Sequence, residues 1–506
     1  MPFLNLQLQR RPNAAIIRDT DDAQVPTTVT DAGPQNHEHE NATGEGDVDD
    51  PELKLPKRSS LVVMITANVL LQISFFIIVS SSNEYALHLG GTSTFSGIVI
   101  GIPTVFSGLA LLPLARYDRG TLTLHPSGGY KIPLHISCGA SLLGHILYAL
   151  AYRLSFLYLI LIGRIVSGLG FTLWMYCKRY CSDPRLVGVR RRTTLASWLV
   201  IGQGVGMSLG PFAGGLFYKV GFGGQVWNGY TAPAWVMAGV WAVFWVVAGR
   251  WYEDAPPEEE EDPTATTSAA VEGGVALQDM STSTSTAPPN TPSPSLYALT
   301  PAQLSVLLCM CWFALTSFFI LGAWEANLPV FGASPLPPFH WTPFAAGNFI
   351  ALGGLTTFPF LVLNLLLARR GRTQDRVILA FGIILGLAAL VVFLGLLSSA
   401  GAGAGGRTAL SYGAVFACWS AVALGFNLAT TVTLSTVSKR LPARWNGRAS
   451  LAVQYANYTG RVAGAVWGGS GVKVGMRGYV GLQIALAGVG AGMAGGLWRE
   501  LKTKMG

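Results

Sequence analysis

The sequence predicts an all-α membrane protein, with twelve transmembrane helices in two six-helix repeats. Three observations predict it. Half of the residues are hydrophobic, only 12% are charged, 61 are glycine, and mean hydropathy is positive, a composition unlike that of a soluble globular domain. Apolar runs of roughly 20 residues, long enough to cross about 30 Å of hydrocarbon, occur twelve times. Small-residue stripes and isolated polar residues appear in the first six runs and again, in the same order, in the second six.

Residues 1–57 read as a disordered cytosolic arm. They are polar, acidic in their second half, and lack the basic start, apolar centre and small-residue cleavage site of a signal peptide. The N-terminal bundle, 58–251, holds spans from Ser60 to Ser80, Thr92 to Leu114, Pro133 to Tyr152, Phe156 to Tyr176, Thr194 to Phe217 and Ala232 to Trp251. Span five carries the strongest pattern. Gly202, Gly206, Gly210 and Gly214 lie one turn apart and continue through Pro211 and Gly215 as G-x-x-x-G-x-x-x-G-P-x-x-G-G. Residues four apart stack on one helix face, so this strip lets another helix pack backbone to backbone in lipid, where small-residue packing takes over from the hydrophobic effect.

Residues 252–300 begin with the acidic run Glu258 to Asp262 and continue as a Ser/Thr/Pro-rich tract that cannot bury enough apolar surface to order itself. They read as a disordered cytosolic linker, with a phosphorylation target as the alternative. The C-terminal bundle, 301–498, holds spans from Ala302 to Trp324, Thr342 to Leu367, Val377 to Leu397, Ser411 to Val437, Ala449 to Gly469 and Tyr479 to Trp498, before a short tail, 499–506. The repeat is visible in matched features. The first helix of each half ends in a glutamate, Glu84 and Glu325. The second begins with a small pair, Gly97 and Gly101 against Gly347 and Ala351, and exits as Leu-Ala-Arg at Arg116 and at Arg369. Span eleven repeats the stripe of span five as Gly460, Gly464, Gly468 and Gly469. Transporters built from repeats place substrate near mid-membrane at the repeat interface.

Basic residues fix the orientation, because Lys and Arg beside spans are retained in the cytosol. The even-numbered loops hold clusters such as Lys178, Arg179, Arg185 and Arg190 to Arg192, then Arg369, Arg370, Arg372 and Arg376, then Lys439, Arg440, Arg444 and Arg448. The odd-numbered loops hold only Arg153, Lys219, Arg407, Lys473 and Arg477. Both termini are therefore expected in the cytosol. The net charge of +8 follows from this topology and is spread over many short loops, which speaks against nucleic-acid binding.

These features together resemble the major facilitator superfamily, twelve-helix type, from Ser60 to the end apart from the linker. Gly163-Arg164-Ile-Val-Ser-Gly168-Leu-Gly170 is similar to that family's fourth-helix motif, and the stripe at Gly206, Gly210, Pro211, Gly214 and Gly215 to its fifth-helix antiporter motif. The signature G-x-L-x-D-R-x-G-R-[KR] after span two survives only as Asp118-Arg119-Gly120, and the resemblance implies a gating role for Asp118 and Arg119. The Arg164 region and the Gln203-to-Gly215 helix also resemble the vacuolar or lysosomal branch related to the ceroid-lipofuscinosis membrane protein. The resemblance implies alternating access and secondary transport, by proton-coupled antiport.

Ionisable side chains inside a membrane cost about 2.5 to 3.5 kcal/mol or more and mark pathways. Arg164 faces the small-residue side of span four. Gln454, Asn457, Tyr458 and Arg461 share one face of span eleven, readable either as an interhelical hydrogen-bond network or as a cavity wall that contacts substrate or a coupling carboxylate. Asn68 and Gln72 on span one and Gln203 on span five read as packing groups or as ligands. Glu84 and Glu325, placed outside the cytosol at the outer ends of spans one and seven, read as solvated loop acids or as outer gate and proton acceptor. His145 reads as a core histidine or as a further proton site, since imidazole titrates near neutrality.

No G-x-x-x-x-G-K-[ST] loop is present, so the chain is not expected to hydrolyse ATP. Scattered histidines and a lone Cys177-x-x-x-Cys181 speak against an enzyme, a metal site or a cofactor. The expectation is a monomeric, multi-pass secondary carrier, in the plasma membrane or a vacuolar or other endomembrane, moving a small organic solute and protons. A facilitative uniporter or anion pathway, or a non-transporting receptor of the same fold, stands as the alternative.

Overall fold

The computed structural model describes residues 54–117, 129–181, 183, 185–254, 299–335, 337–369, 374–400, 410–442 and 445–502. Nearly all of the expected N-terminal arm and of the linker, and Asp118 and Arg119, lie outside the described residues. Among the described residues there are fourteen helices and no strand. In the N-terminal half these are α1 (Arg58–Phe76), α2 (Ser82–His88), α3 (Ser93–Tyr117), α4 (Lys131–Leu154), α5 (Leu157–Gly170), α6 (Leu173–Tyr180), α7 (Val189–Val220) and α8 (Ala232–Trp251). The C-terminal half has α9 (Pro301–Ala333), α10 (Pro343–Arg369), α11 (Asp375–Ala400), α12 (Tyr412–Arg440), α13 (Asn446–Val474) and α14 (Met476–Gly496).

Eleven of the described spans are long and apolar enough to cross a membrane, α5 and α6 together counting as one. The twelfth expected span is α13. Its 29 residues extend about 43 Å, and the residues from Gln454 to Arg461 dilute its apolar character without shortening it. Span four is broken. After Gly170 the chain turns through Phe171 and Thr172 before α6, and the Ser137 hydroxyl donates to the Gly170 carbonyl at 2.7 Å, so the interruption leaves no orphaned acceptor there. Span one likewise stops at Phe76, and residues 77–81 are turns that lead into α2. At the other end of the chain, Gly475 adopts φ +94° between α13 and α14, a backbone conformation that L side chains rarely adopt, and so reverses the chain in one residue.

Helix starts follow local chemistry. Thr300 and Gln303 form a capping box on α9, with Pro301 at its first position. The Asp254 carboxylate accepts from the Tyr130 amide at 2.8 Å at the start of α4, where the helix dipole favours an anion. Beside it, Glu253 pairs with Lys57, and its main chain exchanges hydrogen bonds with Ser60, which ties the end of α8 to the start of α1.

The glycine stripes do equivalent work in the two halves. On α7, a Cβ at Gly210 would lie 2.7 Å from the Phe76 Cβ, and one at Gly214 would run into the Ile77 carbonyl, so α7 lies directly on α1. On α13, Gly460, Gly464 and Gly468 press against the carbonyls of Leu315, Phe319 and Ala323 of α9. The last glycine of each stripe faces the opposite half. Gly215 meets Phe344 of α10 and Gly469 meets Ser93 and Gly97 of α3.

The matched small pair of span two and span eight lies on these seams as well. Gly97 and Gly101 meet Ala465 and Val462, and Gly347 meets the Pro211 carbonyl. Approaches that join the halves are found from Ser93 to Gly108 on α3 and from Phe344 to Phe358 on α10. Lys219 over the Phe344 ring, 4.5 Å from its centroid, and the 3.0 Å bond between the Thr94 and Ser470 hydroxyls also join them.

Candidate functional site

The centre of the molecule is organised around two arginines and the aromatic ring between them. Phe75 is buried in the last turn of α1. The Arg461 guanidinium carbon lies 4.8 Å from its ring centroid, and the Arg164 guanidinium carbon 5.6 Å from it. Arg461 also lies over Phe76 and Phe318, at 5.3 and 5.9 Å, while Arg164 lies over Phe171 at 5.8 Å. Each contact is a cation over a π face, an arrangement worth about 0.5 to 2 kcal/mol, and more toward the upper end when water is excluded. Phe75 is therefore a shared partner for one cation from each half.

Arg461 has a counter-ion. Its Nη2 donates to Glu325 Oε2 at 2.5 Å, and the two residues are 8% and 2% exposed. Here the structure corrects the sequence reading. Glu325 is not a loop acid at the outer end of span seven, because α9 continues eight residues past it to Ala333 and buries it in the bundle. It is the carboxylate that faces Arg461 of α13. The cause is length: the apolar run to Trp324 already suffices to span hydrocarbon, whereas α9 reaches 33 residues, about 50 Å.

The rest of that face splits. Tyr458 accepts from the Ser107 hydroxyl at 3.3 Å across the seam, and Tyr455 donates to the Gly108 carbonyl at 3.1 Å. Asn457 keeps its Oδ1 buried without a partner, and Gln454 lies half-buried toward Tyr458. Among the other expected residues, Asn68 donates to the Leu199 carbonyl at 3.0 Å and so ties α1 to α7. Gln72 is half-buried beneath Gly206, and Gln203 is half-buried one residue from Gly202. Glu84 lies in α2, away from this centre, where it accepts from the Tyr218 hydroxyl at 2.6 Å. Thus Glu84 and Glu325, matched in the sequence, occupy different environments: one is half-buried and accepts from a tyrosine hydroxyl, the other closes a buried ion pair.

Arg164 is 1% exposed and has no carboxylate. Its Nε donates to the Val99 carbonyl at 3.3 Å, its Nη1 to the Ser74 carbonyl at 3.4 Å, and its Nη2 has no partner. His145, fully buried on α4, is an electrostatic neighbour of Arg164, and its Nε2 is also unpartnered. Phe75, Ser74, Val99, Tyr148 and Phe318 were not singled out in the sequence. Only Tyr148 had a signal there, its i+3 spacing from His145.

The family model for the Major Facilitator Superfamily matches residues 63–465. The chain belongs to the major facilitator superfamily. It is 30% identical over 462 residues to an uncharacterized MFS-type transporter of Schizosaccharomyces pombe, a match that covers 90% of this chain and 85% of that one. It is 31% identical over 194 residues to an SPX domain-containing membrane protein of Arabidopsis thaliana, covering 37% of this chain and 26% of that protein. Among solved structures, a POT family transporter in complex with 5-aminolevulinic acid aligns with a TM-score of 0.63 at 13% identity, over 89% of this chain and 99% of that one. A bacterial homolog to the human lysosomal transporter Spinster, in an inward-facing and occupied conformation, aligns with a TM-score of 0.59 at 12% identity, over 87% of this chain and 96% of that one. This superfamily chain is a multi-pass membrane transporter and not an enzyme.

Proposed function

We propose that the chain is a secondary active transporter of a small organic solute, working by alternating access and coupled to protons in antiport, with Glu325 as the proton-exchanging group. The observation that carries this reading is the Glu325–Arg461 ion pair, buried in the C-terminal half and laid against Phe75 and Phe76 of the N-terminal half. Protonation of Glu325 removes the charge that neutralises Arg461. A buried guanidinium without its partner costs several kcal/mol, so the protonated protein favours an arrangement in which Arg461 meets water or an anion. The halves must then move relative to one another along the Phe75 contact, which turns proton binding into a change of access.

The excess of Lys and Arg on one side supports cytosolic termini. Both the plasma membrane and a vacuolar or other endomembrane accord with this topology. The substrate is to be found by untargeted metabolite comparison of a deletion strain, alongside localisation of the tagged protein. The coupling is tested in reconstituted vesicles. Flux of the solute so identified is expected to respond to an imposed pH gradient. Flux indifferent to the gradient would replace antiport with facilitative uniport, and binding without flux would make the protein a receptor.

A further inference from the structure

We propose that Arg164, with His145 and Tyr148, forms an oxyanion-binding site inside the N-terminal bundle, which takes the carboxylate or phosphate group of the transported solute. Its place in a transport cycle rests on the reading above, while the binding itself does not.

The inference starts from charge. Arg164 is a fully buried cation whose two hydrogen bonds to the carbonyls of Ser74 and Val99 are long, at 3.4 and 3.3 Å, and whose Nη2 has no partner. Among the described residues the acids of this half are Glu84, Asp183, Glu253 and Asp254. Glu84 is hydrogen-bonded to Tyr218, and the other three lie at the ends of helices beside the basic loops. None reaches Arg164. An uncompensated buried ion is costly by several kcal/mol, and neutral carbonyls offset that only in part.

The groups around Arg164 point to the shape of what is missing. His145 and Tyr148 lie one turn apart on α4, both buried and both electrostatic neighbours of the guanidinium. His145 Nε2 has no hydrogen-bond partner, and the Tyr148 hydroxyl lies near that of Ser82 without closing a bond. A guanidinium edge, an imidazole nitrogen and a phenol leave several donors unused in one buried region. An oxyanion accepts from two or three such donors at once and supplies the charge that is absent. A cationic solute would be repelled, and an apolar one would leave every donor unsatisfied. The Phe75 ring covers Arg164 on the side of Arg461, so an anion reaches the site from the seam by displacing that ring.

The test is equilibrium binding to the purified full-length chain. Thermal unfolding is followed against increasing sodium phosphate and, separately, sodium benzoate, at constant ionic strength, with benzamide and sodium chloride as controls. A saturable rise in Tm with phosphate or with benzoate is expected, and none with the controls. A response to phosphate alone assigns a phosphate-bearing or inorganic solute, and a response to benzoate alone assigns an organic acid. Arg164→Gln should weaken the apparent affinity by about tenfold or more, the loss of one charge-assisted contact. Tyr148→Phe, which keeps Arg164 and the packing, should weaken it several-fold. The proposal is overturned if neither oxyanion stabilises the protein, if chloride does so equally, or if Arg164→Gln responds as the unmodified chain does. Should Arg164→Gln yield no folded protein, unchanged affinity in Tyr148→Phe overturns it. Because this binding needs no gradient, oxyanion binding without pH-driven flux would refute the proton coupling alone, and pH-driven flux without oxyanion binding would refute this site alone.

Discussion

Arg461 in the C-terminal half sits 2.5 Å from Glu325, whereas Arg164 in the N-terminal half has only two backbone carbonyls, each beyond 3.2 Å. The two side chains share the Phe75 ring, yet the buried cation of the C-terminal half is paired with a carboxylate and that of the N-terminal half is not. The difference teaches a division of labour. A paired charge is switched by protonating its partner. An unpaired one is answered by an anion from outside.

The largest expected effect breaks the comparison directly. Arg461→Met strands the Glu325 carboxylate in a buried site and should cost about 3 to 5 kcal/mol of stability. Arg164→Met strands no charge and removes an uncompensated one, so it should leave stability unchanged or raise it by about 1 to 4 kcal/mol. Thermal unfolding of both variants in one detergent checks this, and equal losses would mean that Arg164 has a counter-ion after all.

Next come the stripes that hold each half together. Gly210→Leu props α7 off Phe76, and Gly464→Leu props α13 off the Phe319 carbonyl; each should cost about 1 to 3 kcal/mol or prevent folding. Leu209→Ala, on a residue 45% exposed beside Gly210, should change stability much less. Comparable unfolding temperatures for Gly210→Leu and Leu209→Ala would show that α7 does not lie on α1 through this strip. A smaller effect is expected at the ring both arginines share. Phe75→Leu keeps apolar bulk but removes two cation–π contacts, about 0.5 to 2 kcal/mol each. The loss should shrink when Arg164 and Arg461 are both replaced by Met beforehand, and an undiminished loss would leave Phe75 as plain packing.

The smallest effect lies outside the membrane-spanning segments. Burial of Asp183 works against its charge, but hydrogen bonds from Arg185 and from Tyr130, at 2.7 Å each, outweigh burial and hold its carboxyl below the ordinary carboxylate range. A carboxyl depressed in the folded state stabilises above its unfolded pKa, about 3.9, and loses that contribution as pH falls through the folded value. Unfolding temperature should therefore decline more steeply below about pH 4 in the unmodified chain than in Asp183→Asn. Parallel profiles would remove Asp183 from the acid-side stability.

Much of this architecture is legible in the sequence because spacing encodes it. Gly202 to Gly214 and Gly460 to Gly468 specify which faces come closest, and the pairs Gly97/Gly101 and Gly347/Ala351 mark the seams between halves, since only small residues allow backbones to touch. The site is less legible. Glu325 and Arg461 are 136 residues apart and meet only because α9 extends past Trp324 while α13 presents its polar face to it. A span count based on hydrocarbon thickness ends α9 too early and leaves Glu325 in a loop. Phe75 carries no mark at all in the sequence, because a phenylalanine in an apolar run looks like any other until two cations are found on its faces. The breaks after Phe76 and Gly170 are equally hidden, as they depend on tertiary contacts such as the Ser137 bond and not on a proline.

The most direct test of the account replaces Glu325 with glutamine, which keeps shape and hydrogen-bonding reach but cannot exchange a proton. In reconstituted vesicles, Glu325→Gln should retain exchange of the substrate across the membrane while its flux no longer responds to an imposed pH gradient, and Glu84→Gln should respond as the unmodified chain does. A Glu325→Gln protein whose flux follows the gradient undiminished would contradict the central claim that the buried pair in the C-terminal half is the proton switch.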